Sequence, residues 1–302
     1  MLSSWFNIGS NQDPLSALKR KMFKAFSEMD IGDREFMLNS LSPTVGIKTA
    51  RTKDEKLPVG SSKIGGQPDL PPNIDWPRFN NEPLSFCAQY NCLEFNRYDK
   101  NYLLPSEGML YVFVYVDKSW PGFLNTDGSY KIIYTGNHNE IFRRPFPQSY
   151  FKESIFETAK IDYFQFYTLP DDENYKLIEL RKKYLHFSNY YDNATDIIYN
   201  VTGQAADNYH QLLGEDRSVQ SSVVWEFAAK ALNIRTSEDY ETKKHLIDEL
   251  KKDYIMLLQL DSGDKNTSLA KFGGSSVMYF GIKPEDLKQK RFDQTILAFQ
   301  GT

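Results

Sequence analysis

The chain has 302 residues, 40% of them hydrophobic, 25% charged and 15% aromatic, with a formal net charge of −4. These are the values of a soluble globular protein long enough for one large domain or two ordinary ones. The mild negative charge gives no pull toward nucleic acid or anionic lipid, and no run of about 18 apolar residues marks a membrane span. The opening residues lack the basic region and apolar stretch of a secretion signal, so a cytoplasmic location is expected.

Asp13 and Pro14 read as the start of a helix, with Leu15, Leu18, Met22, Phe26 and Met29 at helical spacing and Lys19, Arg20, Lys21 and Lys24 on the other surface. A short second helix is expected from Asp33 to Leu41, and a strand from Thr44 to Thr49. Residues 51–83, rich in Pro, Gly, Lys and Asp, read as an ordered irregular loop. Strands follow at Leu84–Leu93, Met109–Val116, Tyr130–Thr135 and Ile161–Tyr167. Asp171 to His186 reads as a helix, with acids first and Lys182 and Lys183 last, and residues 188–220 as a polar connection. Helices are expected at Ser222–Leu232 and Ser237–Lys252, the second turning Tyr240, Leu246, Ile247 and Leu250 inward. Strands at Tyr254–Asp261, Val277–Ile282 and Gln294–Gln300 complete the chain, with a short helix opening at Pro284.

This order predicts an α+β fold, mainly antiparallel, with a roll-like sheet and peripheral helices. Residues 1–43 form a helical extension and 44–302 one integrated domain. Two distant segments resemble each other. Leu84-Ser-Phe-Cys-Ala-Gln-Tyr-Asn91 precedes Gly108-Met-Leu-Tyr-Val-Phe113, and Tyr254-Ile-Met-Leu-Leu-Gln-Leu-Asp261 precedes Ser276-Val-Met-Tyr-Phe-Gly281. Each is a strand carrying Gln-x-Asn/Asp followed by a strand centred on a Tyr, so two pseudo-duplicated halves are expected, with Gln89 matching Gln259 and Tyr111 matching Tyr279.

Several stretches together resemble the YwqG-like family of bacterial proteins, whose function is not established. They are Ser62-Lys-Ile-Gly-Gly-Gln-Pro-Asp-Leu-Pro71, Trp76-Pro77, Pro83 to Asn91, Leu104 to Phe113, His210-Gln-Leu-Leu-Gly214, Gln220, Leu257 to Ser262, Tyr279 to Leu287 and Arg291-Phe292. The resemblance implies a mainly β, roll-like fold without an accepted reaction. It also hints at immunity-like recognition of another protein. Glu215-Asp216 stands where the family usually has Tyr-Pro, and Lys271-Phe-Gly-Gly274 where it often has Trp-Gly-Asp.

The sharpest local signal is Lys63-Ile-Gly-Gly-Gln-Pro-Asp69. Gly65 and Gly66 permit close backbone approach, and Lys63 suits an anion. With Gln67, Asp69 and Trp76 they form one side of an expected polar cleft. Gln89 and Asn91 share one strand face, as do Gln259 and Asp261, and a pseudo-two-fold would let these pairs converge. The alternatives are a structural turn and amides that satisfy strand ends. His210 is the histidine to examine first, with hydrogen bonding at a loop as its expected role. Asp261-Ser-Gly-Asp264-Lys-Asn266 reads as a solvated turn, without the EF-hand pattern. Cys87 and Cys92 read as reduced thiols on opposite faces of one strand.

Neither a metal site nor a cofactor is expected, and nucleic acid and membrane are not expected partners. The leading expectation is a non-catalytic cytoplasmic binding protein with a protein partner. The alternative is an enzyme acting on a small polar or sugar-like ligand between the halves.

Overall fold

A computed structural model of the chain describes residues 14–117, 122–123, 126–136, 140–203 and 210–301. Ten strands form one sheet. In chain order they are β1 (Ser42–Arg51), β2 (Lys63–Ile64), β3 (Ser85–Asn91), β4 (Met109–Val114), β5 (Tyr130–Thr135), β6 (Ala159–Thr168), β7 (Gln211–Leu212), β8 (Ile255–Asp261), β9 (Ser276–Ile282) and β10 (Ile296–Gly301). Their spatial order is β5-β4-β3-β2-β6-β1-β7-β8-β9-β10, and each pairing is antiparallel. The fold is α+β with a roll-like sheet. One buried cluster takes side chains from every strand, among them Val45, Ile64, Ala88, Val112, Ile132, Ile161, Leu212, Leu258, Phe280 and Leu297. A single cluster of that membership requires the sheet to curl around it.

That spatial order reads the same from either end if β1 matches β6, β2 matches β7, and so on to β5 and β10. The registers agree residue by residue. Gln89 faces Tyr111 across β3–β4, and Gln259 faces Tyr279 across β8–β9. Each pair of strands carries one irregularity, between Phe86 and Ala88 and between Met256 and Leu258. Lys63 of β2 faces Gln89, as Gln211 of β7 faces Gln259. The first strand of each half pairs with the second strand of the other, β6 with β2 and β1 with β7. The halves are therefore interlocked by strand exchange, and their pseudo-two-fold passes through the central β1–β6 pair at Lys48 and Asp162.

Helices α1 (Pro14–Ala25) and α2 (Ile31–Asn39) join α3 (Ile178–Lys183) and α4 (Phe187–Thr202) over the end of β6. Leu18, Met22 and Phe26 are fully buried there, each contributing roughly 1.5–3 kcal/mol. Helix α4 lies where a polar connection is expected. Its Asn, Asp and Tyr content hides an inward row of Phe187, Ala194 and Ile198, and Gly203 ends it in the left-handed conformation at φ 67°. The helix expected from Asp171 shrinks to α3. Asp171 and Asn174 accept hydrogen bonds from the backbone of Glu173 and Lys176, turns that compete with helix.

Helices α5 (Val223–Ala231) and α6 (Ser237–Leu250) cover the second half. Ile247 of α6 is buried, whereas Leu246 points outward. The loop at 51–83 is ordered and contributes β2 to the main sheet. Cys87 and Cys92 are free and buried, but Cys92 opens a helical turn capped by Asn91 instead of extending the strand.

Candidate functional site

In each half a Gln and a Tyr on adjacent strands hold the backbone N–H and C=O of one residue of a crossing loop. In the first half Gln89 Oε1 accepts from Asp69 N at 2.8 Å, and the Tyr111 hydroxyl donates to Asp69 O at 2.5 Å. In the second half Gln259 Oε1 accepts from Arg217 N at 3.2 Å, and the Tyr279 hydroxyl donates to Arg217 O at 3.0 Å. This clamp is the physical content of the repeated Gln and Tyr in the sequence. The bend before the clamped residue is also repeated: Gly65 and Gly66 lie at φ 69° and 71°, and Leu213 and Gly214 at 58° and 80°. A Cβ on Gly66 would fall 2.6 Å from Thr158 Oγ1, and one on Gly214 would fall 1.9 Å from Thr44 Oγ1, so both positions need glycine.

Lys63 is fully buried. Its Nζ lies 2.6 Å from Asp54 Oδ1, 2.6 Å from the Gln67 carbonyl and 3.9 Å from Asp69 Oδ2. Burial lowers the pKa of its amine, against the opposing pull of Asp69 and Asp54. Arg143 closes the network, with Nε 3.0 Å from Asp69 Oδ1 and 3.6 Å from Asp54 Oδ2. Gln67 N donates to Asp54, and Gln89 Nε2 donates to Ser61 O and Asp69 Oδ2. Asn91 donates to Gly60 O and caps the turn at Leu93. Trp76 donates to Leu84 O and packs edge-on against Phe113 and Tyr150. Lys63, Gly65, Gly66, Gln67, Asp69, Gln89 and Asn91 thus do come together, bonded to one another and to backbone.

His210, Gln259 and Asp261 belong to the other half. Four strands separate β3 from β8, each about 4.8 Å from the next, so the two Gln-bearing strands do not converge on one cleft. His210 accepts from Asp261 N through Nδ1 at 3.1 Å, which leaves Nε2, 3.1 Å from Asp264 Oδ2, as the donor. Asp264 also accepts from Thr49. Burial works against ionisation of its carboxyl, but the bonds from His210 and Thr49 prevail and hold its pKa down at about 2. The Asp261–Asn266 segment is the turn expected, with Gly263, Lys265 and Asn266 exposed, and Asp264 ties it to Thr49 of β1 and to His210 before β7.

The concavity between the halves lies on the opposite side of the roll. There β5 and β10 are the two ends of the sheet order. They approach without pairing: the Tyr130 hydroxyl donates to Thr295 O at 3.1 Å, and the Tyr134 and Phe292 rings lie 5.6 Å apart. A cleft of about 980 Å³ opens beside them. Arg78, Lys131, Lys230, Arg235 and Lys283 line it, against Asp127, Asp286 and Asp293. Asp286 pairs with Arg291 and Lys283 with Asp253 at 3.9 Å; Arg78, Lys131, Lys230 and Arg235 then stand against Asp127 and Asp293, so the lining is basic in a chain of net charge −4. Burial pulls the Lys230 amine down to about 8, and its Nζ donates to Leu297 O.

A family model described as a domain of unknown function, DUF1963, matches residues 62–300. The chain belongs to the DUF1963 family. No curated protein matches it. The DUF1963 match contains both clamps and the whole basic lining of the cleft. It begins after β1, although β1 completes the second half and carries the Thr44 against which Gly214 packs.

Sequence reasoning missed Asp54 and Arg143, the partners of Lys63, because nothing local marks them. It also missed the lining of the cleft, whose residues are scattered from Arg78 to Ile296. We expect Gln89→Ala to cost roughly 1–3 kcal/mol in urea denaturation, because it leaves the buried Asp69 N–H without its acceptor, and Gln259→Ala to cost less, because the bond it accepts from Arg217 N is only partly buried. A stability unchanged in both would show that the clamps are dispensable.

Proposed function

We propose that the chain is a non-catalytic binding protein of the YwqG-like type that recognises another protein through the cleft between β5 and β10. The observation that carries this reading is a basic cleft of about 980 Å³ flanked by the two end strands of one sheet. Its volume is that of a site able to take a sizeable ligand. The polar groups around Lys63 are bonded within the fold and favour a structural role there. The reading places the protein in the cytoplasm of a bacterium. Two free buried thiols are in keeping with a reducing compartment, and none of the described helices is long and apolar enough to cross a membrane. The YwqG-like resemblance adds the immunity-like form of the proposal.

A second reading, an enzyme acting on a small polar ligand in the same cleft, is favoured by Lys230. An amine brought toward neutrality by burial is suited to act as a base. To separate the readings, a photo-crosslinking residue is placed at Lys131, in the cleft, and as a control at Lys244, exposed on α6. In extracts of the source cell, protein recognition gives a discrete protein adduct from position 131 and none from 244. Adducts of equal yield at both positions, or none at 131, would overturn it.

A further inference from the structure

A smaller cavity, of about 160 Å³, lies where helix α4 packs on the end of β6, and it shares no lining residue with the basic cleft. Phe166 of β6, Tyr191 and Tyr199 of α4, and Asp171, Arg217 and Ser218 of the connections line it. The Phe166 and Tyr199 rings stack with centroids 6.3 Å apart and planes 6° from parallel. The Arg217 guanidinium lies 5.8 and 5.0 Å from those two centroids and donates to the Tyr199 hydroxyl at 2.5 Å. Acidic groups stand beside the rings. Ser218 sits between the carboxyls of Asp216, to which its hydroxyl donates at 3.1 Å, and Asp171. Among the described residues neither carboxyl has an ion-pair partner. The neighbouring cations are engaged elsewhere, Lys176 with Glu215 at 2.7 Å and Arg181 with Glu173 at 3.0 Å. Among the described residues no hydrogen bond reaches the Tyr191 hydroxyl, which lines the cavity.

We propose that this cavity binds a small organic monocation, a primary ammonium carried on a compact apolar or aromatic body. The site is separate from the cleft assigned to protein recognition. A cavity of roughly this volume holds one benzene ring, so a ligand of about six to eight non-hydrogen atoms fits. Its body packs against the stacked rings of Phe166 and Tyr199. An ammonium has only donors to offer, and the Asp171 carboxyl and the Tyr191 hydroxyl are the acceptors it meets. Arg217 repels a second positive charge, which selects against diamines. Burial is the main cause of a raised pKa at Asp171 and at Asp216, where it reaches about 7, and burial followed by the charges of both raises that of Tyr191. The acidic side of the cavity thus lacks a compensating cation, and the ligand supplies one. Asp216 is costly to the fold by itself, and such local costs are characteristic of functional sites.

The test uses the full chain and titration calorimetry with benzylamine, its neutral counterpart benzyl alcohol, the anion phenylacetate and the diamine p-xylylenediamine. Benzylamine is expected to bind, and each of the others to bind roughly tenfold more weakly or worse, the usual worth of a hydrogen bond to a charged group. Asp171→Asn keeps the acceptor for Glu173 N and removes the charge. It should weaken benzylamine roughly tenfold and leave benzyl alcohol nearly unchanged. Tyr191→Phe removes only the hydroxyl and should weaken benzylamine about threefold. Asp293→Asn, at an exposed acid of the basic cleft, should leave benzylamine unaffected. Failure of benzylamine to bind overturns the proposal. Equal binding of benzylamine and benzyl alcohol also overturns it, because the cavity would then be selecting an apolar body alone. So does unchanged affinity in a folded Asp171→Asn variant, or a larger loss from Asp293→Asn, which would put the amine in the cleft. Should Asp171→Asn fail to fold, Tyr191→Phe decides, and an unchanged benzylamine affinity there overturns the proposal.

Discussion

Replacement of Lys63 by alanine is expected to destabilise the protein by roughly 3–5 kcal/mol, the usual cost of removing one partner from a buried ion pair. The substitution leaves Asp69, which is fully buried, and Asp54 facing each other with Arg143 as their remaining cation. It also deprives the Gln67 carbonyl of its donor. Such a loss is a large share of the stability of an ordinary domain. The second half suggests the compensating change. Gln211 occupies the position of Lys63 and donates to the Glu215 carbonyl, as Lys63 does to Gln67. Thr168 occupies the position of Asp54, and its hydroxyl accepts from Glu215 N as Asp54 accepts from Gln67 N. The neutral pair thus makes the same loop bonds without buried charge. Lys63→Gln combined with Asp54→Thr should therefore lose less stability than the two single changes added together, as measured by urea denaturation. If Lys63→Ala unfolds at the wild-type midpoint, the network is not a structural centre and an anion-binding role for Lys63 returns.

The second large effect is expected at Asp216. It is 2% exposed, and its carboxyl accepts from Ser218 Oγ at 3.1 Å and Val223 N at 3.4 Å. Burial, followed by the nearby carboxylates of Asp171 and Glu215, pushes its pKa up to about 7 from an ordinary 3.8. A raised carboxyl pKa means that the folded state binds the proton more tightly than the unfolded state does. Its contribution to stability is complete below the unfolded value and is lost as pH rises toward and through about 7. Asp216→Asn keeps the shape, the acceptor and a donor, but has no charge to bury. The variant should match wild type near pH 4 and exceed it by roughly 4 kcal/mol at pH 8, at about 1.4 kcal/mol per unit of pKa. Denaturant midpoints at the two pH values decide the matter. A gain of the same size at both would show that Asp216 titrates normally.

Some of this architecture was legible in the chain. The row Leu18, Met22 and Phe26 is buried as its spacing predicts. The two Gln/Tyr strand pairs match in register as well as in pattern. Other elements gave no readable signal. β2 and β7 have two residues each, too short to show any period, yet they link the halves to the central strands. Helix α4 was obscured by the Asn and Asp residues on its outer face and by Tyr190, Tyr191 and Tyr199, which read as polar but pack against the core. The Lys63–Asp69 loop was visible as a local cluster, but Asp54 and Arg143, which complete it, come from elsewhere in the chain.

Residue order alone fixed the longer strands, the helices α1, α5 and α6 and the existence of two related strand units. Alternation and helical spacing act over a few residues and are set by covalent geometry. The tertiary structure alone decided that the first strand of each half would cross to the other, because cross-chain pairing depends on which edges meet after collapse. It also decided where the halves would leave a concavity. Gln89 and Gln259 came to lie far apart in the sheet order, while Lys131, Lys230 and Arg235 came to line one cleft. The curl of the sheet places those groups together, and no spacing along the chain records that curl.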